Sequence, residues 1–259
     1  MKNVVILGST GSIGKSTLDV IRNLEHKYKV VALSANSPWE LLSKQVNEFN
    51  PESVSLADES CVESLRNSLS GNSVQILTGE GSVREMVSKK NVDIVLSAIV
   101  GGAGLPAAIE VIKNRKTLAI ANKEALVMAG GLIMPMAKEN GVSIIPVDSE
   151  HSAVLQALRA GRRDEVKKII ITASGGPFRN HPKEKLSEVT REEALNHPTW
   201  NMGKKISIDS ATMMNKALEV IEAKWLFDLD ATQIEVVIHP ESIIHSLVEF
   251  CDGSVIAQM

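Results

Sequence analysis

Aromatic side chains are scarce in this sequence, with three Trp, four Phe and one Tyr in 259 residues. A core built from it has to be aliphatic. Only two cysteines occur, Cys61 and Cys251, and they form no spaced pair. That argues against a disulfide framework and against a thiolate zinc site. No basic block marks a nucleic-acid surface, and no acidic tail marks disorder; the net charge of −3 arises from interspersed charges of both signs. No apolar run reaches the roughly 18 residues of a membrane span, so no membrane partner is expected. The opening MKNVVILG lacks the layout of a signal peptide, and a cytoplasmic location is the expectation. Internal repeats and low-complexity tracts are missing too.

What is there is an ordinary globular profile, 44% hydrophobic and 23% charged, long enough for two modest domains. Over the first 145 residues short apolar runs alternate with amphipathic stretches. The runs are 4–8, 29–34, 53–57, 74–77, 93–99, 117–121 and 142–146. Strands this apolar, alternating with helices, predict a doubly wound parallel sheet covered on both faces. The expected boundary falls at 146/147, with a Rossmann-like domain over 1–146 and an α+β domain over 147–259. In the second domain a helix (151–160) and a strand (166–174) precede a long polar stretch, 175–205, of the kind that is usually functional or mobile. A helix is predicted over 211–227, with Met214, Ala217, Leu218, Ile221 and Trp225 on its apolar face. Strands at 234–240, 243–250 and 254–259 follow, the last two as an antiparallel hairpin. The sequence stops at Met259 inside a strand pattern, so further C-terminal sequence is expected.

The first turn, GSTGSIG (8–14), sits between a strand and a helix. Gly8 suits the tight turn, Gly11 lets a pyrophosphate approach the backbone, and Gly14 lets the helix pack closely. The pattern is a variant of the dinucleotide fingerprint in the required context. The turn after the second strand, LSANSPWE (33–40), holds no acid before Glu40. With Ser34, Asn36 and Ser37 neutral, a 2′-phosphate is not repelled, which favours NADPH over NADH. Asn122, Lys123 and Glu124 follow another strand, where ligands of such sheets bind; they also suit a plain helix start.

Asp148 and Glu150 flank Ser149 at a strand end. They read equally as helix-start acids or as part of an oxygen-ligand metal site. Farther on, Ser210 is a plausible N-cap with an anion site behind it, and Asn215, Lys216 and Glu219 can share a helix face. With Glu219 added, the three acids suit a hard divalent cation. A surface Lys–Glu pair is the plainer alternative.

The runs GSTGSIG (8–14), ANKEAL (121–126), VDSEHSA (147–153), TASGGPF (172–178), HPTWNMGKKISIDSATMMNKALE (197–219) and HPESIIHS (239–246), in this order, resemble the 1-deoxy-D-xylulose 5-phosphate reductoisomerase family. The resemblance spans essentially the whole chain. It implies conversion of 1-deoxy-D-xylulose 5-phosphate to 2-C-methyl-D-erythritol 4-phosphate with NADPH and a divalent cation, Mg²⁺ or Mn²⁺ with Co²⁺ as a further candidate. It implies metal ligation by Asp148, Glu150 and Glu219. It places the substrate phosphate on Ser174, Ser210, Asn215 and Lys216 with His197 nearby, and the substrate backbone on Lys123 and Ser149. Thr10, Gly11, Ser12, Ile13, Asn36, Asn122, Glu124 and Gly203 would line the cofactor. The run 197–203 would form a lid carrying Trp200. His151 and His245 also match family histidines, with a structural role at least as well supported as a chemical one. The resemblance further implies a homodimer and a helical C-terminal domain that is absent here. Two other readings stay open: a semialdehyde or homoserine dehydrogenase-like enzyme, of which the acylating semialdehyde kind needs a nucleophilic Cys and is disfavoured by the contexts of Cys61 and Cys251, and an inactive NADPH-binding fragment.

Overall fold

The apolar runs of the first half become one seven-stranded sheet in the computed structural model, which describes residues 1–79, 81–200 and 202–259. The strands are β1 (Lys2–Leu7), β2 (Tyr28–Ala35), β3 (Ser53–Leu56), β4 (Gln75–Leu77), β5 (Ile94–Ser97), β6 (Thr117–Ile120) and β7 (Ile144–Pro146). Their order is β4-β3-β2-β1-β5-β6-β7, and β1 pairs in parallel with both β2 and β5. Strand order therefore reverses at β1, and such a switch point is where ligands of open α/β sheets bind, outside the carboxyl ends of the strands. The strands are buried on both faces, as their unbroken apolar runs require; Val5, Ile6, Leu7 and Leu33 are inaccessible. Helices α1 (Ser12–Asn23), α2 (Trp39–Phe49), α3 (Val62–Ser68), α4 (Ser82–Ser88), α5 (Gly104–Lys113) and α6 (Lys123–Glu139) connect them.

The chain divides into two compact units, Met1–Ile145 and Pro146–Met259. The second unit holds helices α7 (Ser149–Ala157), α8 (Arg191–Leu195), α9 (Lys204–Ala211) and α10 (Met214–Phe227). Its strands β8 (Val166–Ala173), β9 (Ile234–Ile238), β10 (Ser246–Phe250) and β11 (Val255–Gln258) form a sheet ordered β11-β10-β8-β9. β10 is antiparallel to both β8 and β11, the predicted hairpin, while β8 and β9 are parallel. α7 and α10 supply Val154, Ala157, Ala223 and Phe227 to a core with Ile169, Ile171, Val248 and Phe250 from the sheet.

Two expectations for this unit need correction. The helix predicted over 211–227 starts only at Met214, and a separate short helix precedes it. α9 ends at Ala211, and α10 starts after Met213, whose φ of 61° lies in the left-handed region. A methionine gives no local warning of this, because left-handed backbone ordinarily selects Gly or Asn. Ser210 consequently lies in the last turn of α9 and does not cap the long helix. Second, the predicted apolar face of α10 is not its core face. Met214 is 51% exposed and Ile221 39%, whereas Lys216, Glu219 and Glu222 are buried together with Ala223 and Phe227. A charged stripe goes inside because each member meets a partner there: Lys216 lies between Glu219 and Glu150, and Glu222 faces the His151 ring.

In the first unit the glycine turn is built as its spacing predicts. Gly8 has φ +87°, and a Cβ on it would meet the Ala98 carbonyl oxygen at 2.7 Å. A Cβ on Gly14 would lie 2.4 Å from the Gly8 oxygen and 2.5 Å from Ser9 Cα. Gly14 thus lets the start of α1 sit directly on the turn. Gly14→Ala is expected to cost about 1–3 kcal/mol by overpacking, read as a lower midpoint in urea; an unchanged midpoint would contradict the contact.

Candidate active site

α7 opens where the acids of the second unit gather. Asp148 is its N-cap, accepting from the Ser149 N–H at 3.1 Å, and Glu150 lies in its first turn. Both helix-start roles foreseen for these acids are therefore real. They do not exclude the other role: oxygens of Asp148, Glu150 and Glu219 lie within 4.8 Å of one another. Glu219 is only 1% exposed. The Lys216 ammonium donates to Glu150 Oε1 at 2.8 Å and to Glu219 Oε2 at 2.5 Å. Asn215 Nδ2 donates to Glu219 Oε1 at 2.5 Å, and Ser149 Oγ to Glu150 Oε2 at 2.6 Å. The Lys–Glu pair is thus buried rather than a surface decoration.

Burial by itself would lower the Lys216 pKa, but Glu219 and Glu150 outweigh it and hold the ammonium above its ordinary range. The donor set fits a hard divalent cation. It is all oxygen, and the buried ammonium of Lys216 is drawn between two of its carboxylates, where positive charge is needed.

Sequence reasoning missed Glu222, also 1% exposed and on the same stripe. One turn beyond Glu219, it brings a carboxylate within 3.5 Å of His151 Nδ1. His151 is fully buried and bonds the Glu219 carbonyl through Nε2 at 2.9 Å. It stacks on Phe227 with ring centroids 6.2 Å apart. Through the Nε2 contact His151 holds the Glu219 backbone, a geometry compatible with the structural role weighed for it. His245 is tied by its backbone, its N–H donating to the Gln258 carbonyl and its carbonyl accepting from Thr172 Oγ1.

A second corner collects Ser174, His197 and Ser210. Gly175 and Gly176 turn through positive φ, and a Cβ on Gly176 would come 2.3 Å from the Ser210 carbonyl. His197 Nδ1 accepts the N–H groups of Thr199 and Trp200 at 3.2 and 3.0 Å. Its proton is therefore on Nε2, which donates to Ser174 Oγ at 2.9 Å. Arg179, not foreseen, donates to the Ser174 carbonyl at 3.1 Å. Asn215 and Lys216, grouped with this corner by the resemblance, bond the carboxylates instead. Trp200, in the run foreseen as a lid, is 46% exposed; Asn201 of that run lies outside the described residues. Gly203 is the N-cap of α9.

Burial, and secondarily the Arg179 guanidinium, lower the His197 pKa below the ordinary imidazole value. As pH falls below ~6.5, the unfolded chain takes up this proton before the folded one does. Folding is therefore weakened from that pH downward. An NMR titration, assigned with His197→Gln, is expected to show a midpoint below that value; a midpoint at or above it would contradict the neutral Nε2–H form.

In the first unit, Gly8 and Ser9 donate their N–H groups to the Ser34 carbonyl at 3.0 and 2.8 Å. α1 starts at Ser12 with Gly11 as an N-cap that offers no side chain, so first-turn N–H groups stay open to an anion. Thr10 lies in the turn, Ile13 is 39% exposed in the first turn of α1, and Asn36 follows β2 in the open. Asn122 is buried and works as a clamp: Nδ2 donates to the carbonyls of Ile99 and Gly101 at 2.6 and 3.0 Å, and Oδ1 caps α6 at Ala125. Lys123 is buried as the first residue of α6, with Glu124 beside it. Among the described residues, no helix is long and apolar enough to cross a membrane.

A glycine turn at a topological switch point in one unit and a three-carboxylate cluster whose oxygens fit a hard cation in the other mark a two-unit α/β scaffold of oxidoreductase type. The chain belongs to the 1-deoxy-D-xylulose 5-phosphate reductoisomerase family. The family's sequence pattern matches residues 4–130, and the pattern described as its C-terminal domain matches 144–227. A 1-deoxy-D-xylulose 5-phosphate reductoisomerase from a Thermoanaerobacter species is 55% identical over the whole chain, which covers 67% of that relative. A crystal structure of a reductoisomerase with NADPH, fosmidomycin and magnesium is 43% identical, with a TM-score of 0.94. The Zymomonas mobilis enzyme with NADPH is 45% identical, with a TM-score of 0.91. This chain is covered fully by both solved structures and covers 66% of each. It thus spans about two thirds of the length of the relatives it matches, so a third of each has no counterpart here.

Proposed function

We propose that the protein is an NADPH- and divalent-metal-dependent reductoisomerase converting 1-deoxy-D-xylulose 5-phosphate to 2-C-methyl-D-erythritol 4-phosphate. The observation that carries this is the Asp148–Glu150–Glu219 cluster with Lys216 held inside it. When bound, Mg²⁺ or Mn²⁺ (Co²⁺ also suits the ligands) polarises the substrate ketone and an adjacent hydroxyl for the skeletal rearrangement, and NADPH delivers hydride to the resulting aldehyde. Asp148, Glu150 and Glu219 hold the cation. Lys216 bridges Glu150 and Glu219, offsetting one of their two charges, and becomes available to the substrate phosphate when they turn to a cation. Ser174, Ser210, Asn215 and His197 complete the phosphate contacts, giving remote binding energy for orientation. Lys123 and Ser149 contact the substrate backbone. The turn Thr10–Ile13, with Asn36, Asn122, Glu124 and Gly203, serves the cofactor, and Trp200 belongs to a lid that excludes water.

In this reading residues 1–146 are the NADPH-binding domain and 147–259 the catalytic and dimerisation domain of a cytosolic homodimer. Exposed Val236 and Ile238 on β9 and Val255 and Ile256 on β11, the two edge strands, support pairing between copies. The test is NADPH oxidation with 1-deoxy-D-xylulose 5-phosphate and Mn²⁺, with and without a chelator, in a form spanning the relatives' full length and in residues 1–259 alone. Chelator-sensitive turnover is expected. None in the long form overturns the reading. Turnover there but none in 1–259 supports the second reading, that these residues alone are an inactive NADPH-binding fragment.

A further inference from the structure

Ser9 is fully buried behind the glycine turn, and a side chain from 36 positions further along the chain holds it twice. Gln45, on α2 and 5% exposed, accepts from Ser9 Oγ at 2.7 Å through Oε1 and donates to the Ser9 carbonyl at 3.0 Å through Nε2. The amide can face only this way, since flipping it would set its oxygen against the Ser9 carbonyl. From the β2 side, the Ser34 carbonyl takes the N–H groups of Gly8 and Ser9. The backbone preceding Thr10–Ile13 is thus pinned from two elements. Helix packing alone would place an apolar residue at a buried position of α2 such as this, as it does at Leu42 and Val46. An amide there is explained by the turn, whose buried carbonyl and hydroxyl it satisfies.

We propose that Gln45 is a positioning residue for the pyrophosphate of the dinucleotide, acting through Ser9 on the turn that precedes α1. The inference rests on the NADPH reading above. It predicts a ligand-selective loss rather than general damage. A turn freed at Ser9 presents its N–H groups to the pyrophosphate less often in the binding geometry.

The experiment is fluorescence titration of NADPH against the unaltered protein and Gln45→Met, which keeps the volume and removes both bonds. Competition by 2′-phospho-ADP-ribose and by adenosine 2′-monophosphate accompanies it. About tenfold weaker binding is expected for NADPH and for 2′-phospho-ADP-ribose, with adenosine 2′-monophosphate, which lacks the pyrophosphate, unchanged. Ser43→Ala is the control: Ser43 shares α2 with Gln45, and the change removes its part-buried bond from Ser68 Oγ of α3 without touching the turn, so it should leave NADPH binding unaltered. Ser9→Ala removes only the hydroxyl bond and should lose about threefold; it decides the matter if Gln45→Met does not fold. Wild-type affinity in the decisive variant, an equal loss in Ser43→Ala, or an equal loss for adenosine 2′-monophosphate overturns the proposal. No NADPH binding by the unaltered protein overturns the cofactor reading and this inference with it.

Discussion

Glu219→Gln is expected to lower metal-dependent turnover by about 10²–10³-fold, the scale of losing one preorganised electrostatic contact to the reacting group. The substitution is nearly isosteric and removes one charge from the three-carboxylate set. The fold should survive, because Lys216 keeps Glu150 at 2.8 Å and Asn215 still faces a polar amide. The glycine turn lies in the other unit, so the dissociation constant for NADPH should be unchanged. Steady-state NADPH oxidation over a range of Mn²⁺ concentrations, paired with NADPH titration, separates the outcomes. Unaltered turnover would sink the metal assignment. Parallel loss of turnover, NADPH affinity and thermal midpoint would mean that Glu219 is structural.

Lys216→Met should give the largest change in stability, and a change that depends on metal. The methionine fills the space of the lysine stem but leaves Glu150 and Glu219 without their ammonium. Breaking a buried ion pair by removing one partner costs about 3–5 kcal/mol. For a chain of this size that is a fall of roughly 10 °C in the thermal midpoint. Because the site then lacks its internal cation, millimolar Mg²⁺ should restore much of the loss, and raise the midpoint of the variant more than that of the unaltered protein. Sodium chloride at matched ionic strength should not. Equal Mg²⁺ effects on both proteins would show that Lys216 and the cation do not share one place.

The doubly wound unit was legible because its strands are buried on both faces and so read as continuous apolar runs. The glycine turn was legible because its spacing reports backbone sterics directly: Gly8 needs positive φ, and Gly14 has no room for a Cβ. The second unit was less so. Nothing local marks the break at Met213, and the apolar residues of α10 suggested the wrong core face. That face was misjudged because Lys216 is buried against Glu219 and also Glu150, 66 residues before it, a partner no local pattern shows. A helical pattern weighs each residue as though its partners were water.

By itself the sequence determined the burial of the strands, the glycine turn and the supply of acids at a strand end. These follow from near-neighbour sterics and from the free energy of removing apolar side chains from water. Only the tertiary structure decided that Asp148, Glu150 and Glu219 share one pocket of charge, that Lys216 sits inside it, that His151 and Glu222 lie beneath it, and that Gln45 reaches Ser9. Each of these is an electrostatic or hydrogen-bonding match between distant segments. Its strength depends on distance and on exclusion of water, which are properties of the folded chain.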